Sequence, residues 1–329
     1  MLYWRKMRGA SMIELLSMTN TGSDLGRFSD FSNLSLFLAE HGLDGLELMP
    51  YKSEEIGYLP ASAVAGLHLG YFTTWVDFWR GDEAAVLREF GTLEEAENHF
   101  GGSSRAALVS FFRAQMDMAA RLGVRYVVLH VSDVSLAETL SYRFNHTDEE
   151  VCAATVELLT EVLRDRDDSF EILFENLWWP GLTLLRPGVT DALLAAVPRA
   201  GIMLDTGHLL HMDRTLKTED EGIEYILRVL DAHPGVEERI RGMHLHQSLT
   251  GALIEDVIAK EHSLEGTYFE RLCQAYEYVL GMDEHKPFSS KAIKGLIARV
   301  APEYLTHEFI TKDRAQLGEY LTIQKGALR

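Results

Sequence analysis

The sequence is short of cysteine, of basic residues and of long apolar runs, and each shortage excludes a class of protein. Its 329 residues include only two cysteines, Cys152 and Cys273, too few for a disulfide framework. Both lie in amphipathic helical patterns, so we expect buried free thiols and a reducing, cytoplasmic location. The chain has no run of 18 apolar residues, and its first residues lack an apolar stretch with a cleavage site. We therefore expect neither a membrane span nor a signal peptide.

Basic residues are scarce relative to acidic ones, which argues against a polyanionic partner. The chain carries 31 Lys and Arg against 50 Asp and Glu, a formal net charge of −19 at pH 7. A nucleic-acid backbone would meet a repulsive average field, so we expect no nucleic-acid partner and favour a small-molecule substrate. The composition is 47% hydrophobic and 25% charged, which indicates a folded globular chain and leaves the oligomeric state open.

Several common catalytic and nucleotide-binding motifs are missing. No predicted strand leads into a G-x-G-x-x-G turn, and the sequence has neither a P-loop nor a G-x-S-x-G turn. Neither cysteine has the sequence surroundings of a catalytic nucleophile. These gaps argue against dinucleotide-dependent dehydrogenases, P-loop nucleotide hydrolases, and serine or cysteine hydrolases.

Eight short apolar runs alternate with segments of helical periodicity along nearly the whole chain. This alternation predicts a parallel sheet with its helices outside, and eight units match a closed (β/α)8 TIM barrel. An open doubly wound sheet is the alternative, which the missing glycine-rich turn disfavours. We predict one domain over residues 1–329, with an N-terminal extension at 1–10 and an aromatic-rich insertion at 71–102, after the third strand. The eight runs span 11–18, 44–49, 64–70, 126–132, 170–176, 200–206, 240–248 and 302–310.

Residue types that bind metals stand at the ends of six consecutive predicted strands, from the third to the eighth. In a (β/α)8 barrel these ends meet at one mouth, where active sites lie. An unpaired buried charge is costly, so its repetition on six strands indicates a shared site. Mixed carboxylates and imidazoles suit Zn, Mn, Co or Fe, and we expect a divalent metal cofactor of one or two ions. The strand-end residues are His68, His130, Glu175, Asp205 followed by His208, His244 with His246, and Glu308.

Alternation along the last two strands indicates which side chains face the barrel axis. His244 and His246 lie two apart and face the same side, with His246 nearer the mouth. We therefore predict that His246 binds the metal and that His244 is a deeper substrate contact. His307 and Glu308 face opposite sides, and we place Glu308 inside. Glu47, on the second strand, is expected to have a supporting role.

With these motifs the chain, from about residue 11 to 322, resembles the xylose isomerase-like TIM-barrel superfamily. That superfamily includes sugar isomerases and epimerases as well as metal-dependent hydrolases of the endonuclease IV type. The resemblance implies a metal-binding quartet, and it implies that His208 either contacts the substrate or binds a second metal. The quartet is Glu175 in LFEN, Asp205 in LDTGH, His246 in HLHQS and Glu308 in THEF.

The endonuclease type adds further ligands, and the resemblance implies where they lie in this chain. His68 and His130 match its histidines after strands three and four. It also has an Asp-x-His pair after strand seven, whose histidine we identify as His262 in the stretch KEHSLEG, where Lys260 replaces the aspartate. This departure favours one or two ions over three. His285 has no recognised partner, and we expect it to face solvent.

Large aromatic residues gather after strands three and five, beside the expected mouth. They either pack the inserted segment onto the barrel or line a pocket for a bulky, partly apolar ligand. We predict a substrate-binding role for four of them, together with His244 and Lys260. The four aromatic residues are Tyr71, Trp75, Trp79 and Trp178.

The sequence favours a metal-dependent hydrolase of an amide or phosphoester bond in a bulky small molecule, with Glu175, Glu308 and His208 as catalytic residues. The resemblance extends to a branch that cleaves an amide of cobamides during corrinoid salvage. The alternative is a sugar or sugar-phosphate isomerase or epimerase, in which Glu175 and Glu308 transfer the proton. A barrel that only binds a ligand would not need the full quartet, and the net charge argues against a DNA endonuclease.

Overall fold

A computed structural model describes residues 12–51 and 56–329 of the chain. Within these ranges the strands are β1 (Ile13–Thr19), β2 (Gly45–Met49), β3 (Val64–His68), β4 (Tyr126–His130), β5 (Glu171–Glu175), β6 (Ala200–Asp205), β7 (Ile240–Leu245) and β8 (Tyr304–His307). They pair in parallel and in chain order, and β8 pairs with β1 to close the barrel. The predicted (β/α)8 fold is confirmed. The extension expected at residues 1–10 lies outside the described residues.

Helices surround the barrel and connect its strands. Among the described residues the α-helices are α1 (Phe31–Glu40), α2 (Val76–Arg80), α3 (Glu83–Phe90), α4 (Leu93–Phe100), α5 (Ala106–Leu122), α6 (Leu136–Ser141), α7 (Asp148–Val162), α8 (Pro187–Ala196), α9 (Thr206–Leu210), α10 (Glu219–Ala232), α11 (Gly251–Ile258), α12 (Tyr268–Met282), α13 (Ile293–Val300) and α14 (Arg314–Leu328). Short 3-10 helices cover Leu25–Arg27, Ala61–Ala63 and Val236–Glu238.

Local signals in the sequence explain where several helices begin. Ser135 and Glu138 form a capping box at the start of α6, in which each side chain accepts a hydrogen bond from the other residue's backbone N–H. Such a pair satisfies N–H groups that a helix start leaves without partners. The same arrangement begins α7, α10 and α12, at Thr147 with Glu150, Thr218 with Glu221, and Thr267 with Glu270.

The end of the barrel lumen opposite the carboxyl ends of the strands is apolar. Inward residues of neighbouring strands meet there in layers, because side chains alternate along each strand. A Cβ at Gly66 on β3 would lie 2.3 Å from the ring of Tyr126, so glycine leaves the space that this ring fills. We name this apolar set the lower layer; it comprises Leu15, Tyr126, Val128, Leu173, Met203 and Tyr304, each at most 3% exposed.

Residues 71–102 include three short helices, α2 to α4, that pack through aromatic rings. The ring centroids of Phe78 and Phe100 lie 4.0 Å apart. The same region contacts α12, since the ring of Tyr268 lies 4.2 Å from that of Phe90. The connections that follow β3 and β7 therefore pack against each other.

The structure also bears on the two cysteines and on the question of membrane-spanning helices. Cys152 on α7 is buried, but Cys273 on α12 is exposed, because its position in the amphipathic pattern falls on the outer face of that helix. In the ranges that the structure describes, no helix is both long and apolar enough to cross a membrane.

Candidate metal centre

Carboxylates and imidazoles converge at the carboxyl ends of the strands in three groups. Within each group the candidate ligand atoms lie within 4.8 Å of one another, and Glu175 belongs to two groups. The first group is His68, His130 and Glu175; the second is Glu175, Asp205, His244 and Glu308; the third is His208, His246, Asp283 and His285.

In the first group two histidines face one oxygen of Glu175. The Nε2 atoms of His68 and His130 lie 3.0 Å and 3.2 Å from Glu175 Oε2. The other ring nitrogen of His68 donates to the carbonyl of Leu69 at 3.0 Å. That hydrogen bond leaves the lone pair of a neutral His68 on Nε2, where a metal ligand needs it.

The second group brings three carboxylates around one imidazole nitrogen. His244 Nδ1 lies 2.9 Å from Glu308 Oε2, 3.3 Å from Glu175 Oε1 and 3.6 Å from Asp205 Oδ2. Glu175, Asp205 and His244 are at most 1% exposed, whereas the Glu308 side chain is 14% exposed. Buried carboxylates this close together repel one another unless a cation lies among them.

A second layer of hydrogen bonds below this group orients His244. Its Nε2 lies 2.8 Å from Glu47 Oε1, and Glu47 is fully buried. The other Glu47 oxygen accepts from the Tyr126 hydroxyl at 2.7 Å and from Thr306 Oγ1 at 3.2 Å. Because Glu47 accepts from Nε2–H, a neutral His244 presents the lone pair of Nδ1 to the three carboxylates.

The third group is built around Asp283, which follows α12. Its Oδ2 lies 2.7 Å from His285 Nε2 and 3.2 Å from His208 Nε2. Its Oδ1 lies 3.3 Å from His211 Nε2 and accepts from Ser248 Oγ at 3.0 Å. His211 and Ser248 therefore hold one oxygen of Asp283 and direct the other toward the two candidate ligands.

Asp205 has two structural roles at the end of β6. Its Oδ1 accepts the backbone N–H of His208 at 2.7 Å and so caps the short helix α9. Its Oδ2 faces His244 of the second group and lies 2.9 Å from His246 Nε2. One carboxylate thus serves as helix cap and as candidate ligand.

The electrostatics keep the carboxyl groups ionised. Burial by itself raises the pKa of each carboxyl, but the neighbouring histidines outweigh it and hold the pKa of Glu175 and Asp205 well below its usual value. Burial also raises the pKa of Glu308, yet the charge and hydrogen bond of His244 lower it to about 2. Carboxylates are the form that binds a cation. Burial alone would lower the pKa of His244 and His208, but the same charges raise it, so binding of a metal would release protons from these histidines.

Several buried polar atoms in the centre have no hydrogen-bond partner, although buried polar atoms are normally paired. They are His130 Nδ1, His246 Nδ1 and His285 Nδ1. Unpaired buried atoms among carboxylates and imidazoles are what a missing cation and its bound water would leave. The donor set fits a divalent ion that accepts both nitrogen and oxygen, such as Zn, Mn, Fe or Co.

The structure places the two histidines at the end of β7 in different ligand groups from those predicted. His244, predicted to be a substrate contact, faces the carboxylates of the second group, whereas His246, predicted to complete that quartet, belongs to the third group. The reason is the strand register, which pairs Asp205 directly with His244. Glu308 lies inside as predicted, while His307 Nδ1 contacts Gln324 on α14.

His262 and Lys260 lie apart from the three groups, contrary to prediction. His262 Nε2 lies 2.8 Å from the carbonyl of Val257, and its ring packs on Tyr278 at 4.9 Å. Lys260 is exposed and pairs with Asp256. Both residues follow α11 closely, and the local hydrogen bonds at that helix end retain them.

The predicted aromatic residues divide into packing residues and neighbours of the site. Trp75 and Trp79 are 8% and 3% exposed, and their indole N–H groups donate to the Ser132 carbonyl and to Glu157. They pack the inserted segment, contrary to the substrate-binding prediction. Trp178 is also buried, 5.0 Å from the ring of His208, and supports that histidine.

Tyr71 is the member of this set that lies beside the first group. Its ring packs on His130 at 4.2 Å, and its hydroxyl lies 3.3 Å from the hydroxyl of Tyr276 on α12.

Asp283, His285 and His211 were not among the residues predicted for the site. His285 is 8% exposed and not solvent-facing. The signal was present in the stretch MDEH, an Asp-x-His pair of the kind sought after strand seven. It stands after α12 and not before it, so proximity to the strand led to the wrong choice of His262.

Comparisons with known proteins agree with this architecture. A family model described as xylose isomerase-like TIM barrel matches residues 36–262, more than half of the chain. Endonuclease IV from Thermus thermophilus has a TM-score of 0.52 and 17% identity, over 96% of this chain and 98% of that chain. Mannonate dehydratase from Streptococcus suis has a TM-score of 0.53 and 10% identity, over 97% and 93%. At these identities the two likenesses concern the fold alone.

No curated protein sequence matches the chain. The family match spans β2 to β7 and the segments between them, which carry most of the candidate ligands. The chain belongs to the xylose isomerase-like TIM barrel family.

Proposed function

We propose that this protein is a divalent-metal-dependent hydrolase that acts on an amide or phosphoester bond of a bulky small molecule. The observation that carries the proposal is the presence of three adjoining ligand groups. Proton transfer in an isomerase or epimerase needs one metal between two carboxylates, which the second group alone supplies. The first and third groups have no task in that mechanism, whereas hydrolysis at a site with several metals uses more than one ion to hold substrate and water.

The ligand charges support the same proposal. Glu175, Asp205, Asp283 and Glu308 carry four negative charges, which two divalent ions would balance. A third ion would leave excess positive charge, which favours an anionic nucleophile or leaving group. Bound divalent ions lower the pKa of water and polarise the bond to be cleaved.

The chain's own residues hold the arrangement in place and handle the proton. His68, His244 and His208 each have one ring nitrogen fixed, by the Leu69 carbonyl, by Glu47 and by the Asn176 carbonyl. Glu308 is the most exposed carboxylate of the second group. We assign it the contact with the reacting group and the transfer of a proton, with Glu175 and His208 as the other catalytic residues.

The surroundings favour a bulky, partly apolar substrate. Tyr71 and Tyr276 place two rings and two hydroxyl groups beside the first group, which suits a ligand with both apolar surface and polar atoms. A net charge of −19 disfavours DNA as substrate. An amide of a cobamide combines size, apolar surface and a hydrolysable bond, and it is the specific substrate that we propose to test first.

The test combines metal counting with a panel of substrates. We expect two or more ions per chain by elemental analysis, one fewer in His68→Ala, and no change in the matched control His262→Ala. We also expect hydrolysis of a cobamide amide or of bis(4-nitrophenyl) phosphate that chelators abolish. A single ion that is unaffected by His68→Ala, together with sugar epimerisation and no hydrolysis, would overturn the proposal in favour of the isomerase.

A further inference from the structure

We infer that His246 is a positioning residue that holds Asp205 and packs on His285, and that it is not itself a metal ligand. The inference rests on the metal centre of the proposed function and assigns a role to one of its residues. His246 is fully buried. If it were a ligand, its group would offer four protein ligands to one ion and leave no position for water or substrate.

The first step is the contact with Asp205. His246 Nε2 lies 2.9 Å from Asp205 Oδ2, while Asp205 Oδ1 accepts the backbone N–H of His208. Both oxygens of Asp205 therefore have a hydrogen-bond partner, while His246 is not among the residues of the second ligand group. Its Nδ1 has no hydrogen-bond partner, so the orientation of the ring decides whether His246 can share an ion with its neighbours.

The second step is the orientation of the ring. The rings of His246 and His285 stack with centroids 3.8 Å apart and an angle of 7° between their planes. The lone pair of an imidazole nitrogen lies in the ring plane, so two parallel stacked rings direct their lone pairs along lines that do not meet. One ion cannot lie in both planes. His285 is the better placed of the two, because its Nε2 and that of His208 face the same oxygen, Asp283 Oδ2, whereas His246 Nε2 faces Asp205.

The third step is that the neighbouring sequence is adapted to this ring. A Cβ at Gly207 would lie 2.1 Å from His246 Cε1, so only glycine at 207 leaves space for the imidazole. Thr206 Oγ1 donates to the His246 carbonyl at 2.6 Å and lies 3.2 Å from its N–H. The turn after β6 thus fixes both the backbone and the ring of His246.

A consequence is that His246 connects two ligand groups. Through its N–H it orients Asp205 of the second group, and through its ring face it orients His285 of the third group. Residues that orient ligands in this way typically change metal affinity when replaced, without removing a binding site.

The test compares two equivalent substitutions, His246→Gln and His285→Gln, in the full-length protein loaded with Zn or Co. For His246→Gln we expect the same number of ions per chain and an affinity weakened about 10-fold in chelator competition. For His285→Gln we expect one ion fewer and a changed visible spectrum of the Co-loaded protein. Loss of one ion in His246→Gln, or no change in either count or affinity, would overturn the inference.

A double-mutant cycle on folding stability tests the packing of His246 without depending on how much metal is bound. Gly207→Ala should lower the urea midpoint in the wild-type background and lower it much less in His246→Ala, because the clash is with the imidazole. Equal shifts in both backgrounds would contradict the assigned packing. If the protein binds a single ion, the hydrolase proposal fails, but the affinity for that ion and the stability cycle still report on His246.

Discussion

The two ends of the barrel lumen differ sharply, although the same strands build both. On β5, Leu173 belongs to the apolar lower layer and Glu175, two residues later, to two ligand groups. On β6 the same step leads from Met203 to Asp205. Side chains two apart point the same way, so each strand contributes first to stability and then to chemistry. The polarity of the lumen therefore changes over one inward layer.

Glu47 and Tyr126 lie at the boundary between the two ends. Tyr126 packs within the lower layer through its ring and donates its hydroxyl to Glu47. Glu47 in turn accepts from His244, which faces the carboxylates. A buried carboxyl is costly unless it is paired, and these hydrogen bonds pair it. The apolar layer is therefore connected to the metal centre through a few defined hydrogen bonds.

Glu175→Gln, at the carboxyl ends of the strands, should have the largest effect on metal binding. Because Glu175 serves two groups, we expect metal content to fall and activity to drop well beyond the roughly 10–100-fold typical of outer-shell changes. We expect the metal-free protein to become less stable at neutral pH, because the histidines that hold the pKa of Glu175 below its usual value lose their charged partner. Elemental analysis and thermal melting in chelator measure both effects.

The control for Glu175 lies on the same strand. Glu171, at the other end of β5, pairs with Arg241, and Glu171→Gln should leave the metal content unchanged. An equal loss of metal in both variants would mean that the substitutions act through the strand as a whole.

A substitution in the lower layer should have the opposite signature. Met203 is fully buried in the lumen, so Met203→Ala should lower the free energy of unfolding by about 2–5 kcal/mol. The number of ions per chain should not change. Chemical denaturation with and without metal measures the effect, with Leu36→Ala, at a 69% exposed position, as the control. A loss of metal at unchanged stability would refute the division of the lumen.

Glu47→Gln tests the boundary between the apolar layer and the metal centre. The amide keeps the size of the side chain but removes the charge that supports His244, so metal affinity should fall about 10–100-fold. Tyr126→Phe removes one hydrogen bond to the same carboxyl and should have a smaller effect. Chelator competition measures both affinities. A Tyr126→Phe effect equal to or larger than that of Glu47→Gln would contradict the assigned order.

The sequence was sufficient for the fold because strand and helix periodicity are local. It was also sufficient to bring Glu175, Asp205 and Glu308 together, because parallel strands in a barrel end at one mouth. Asp283 and His285 follow α12, and their approach to His208 depends on how that helix packs, which no spacing encodes. The register between β6 and β7, which brings His244 and not His246 to Asp205's layer, likewise depends on pairing across strands.

The burial of the aromatic residues was not predictable either, because it depends on contacts between segments that are distant in the sequence. Trp75 and Trp79 follow a strand that ends at the mouth, and nothing in their spacing distinguishes a pocket wall from packing. Their donors are committed to Ser132 and Glu157, which belong to other segments of the chain.

The smallest expected effect concerns Glu14, a charged residue outside the lumen that contributes to folding stability and not to the metal centre. Burial raises the pKa of Glu14 on β1, but hydrogen bonds from His307 and Lys325, with the charge of Lys325, outweigh it and lower the pKa to about 2. A carboxyl whose pKa is lower in the folded state stabilises the fold above its usual pKa near 4.5, and this contribution disappears as the pH falls toward 2. Since the pair is partly exposed, Glu14→Gln should cost about 1 kcal/mol at pH 7 and almost nothing at pH 2. Urea denaturation of both proteins across this range measures it, with the exposed Glu319→Gln on α14 as control. A loss of unfolding free energy that stays constant with pH would show that Glu14 stabilises the fold through packing and not through its charge.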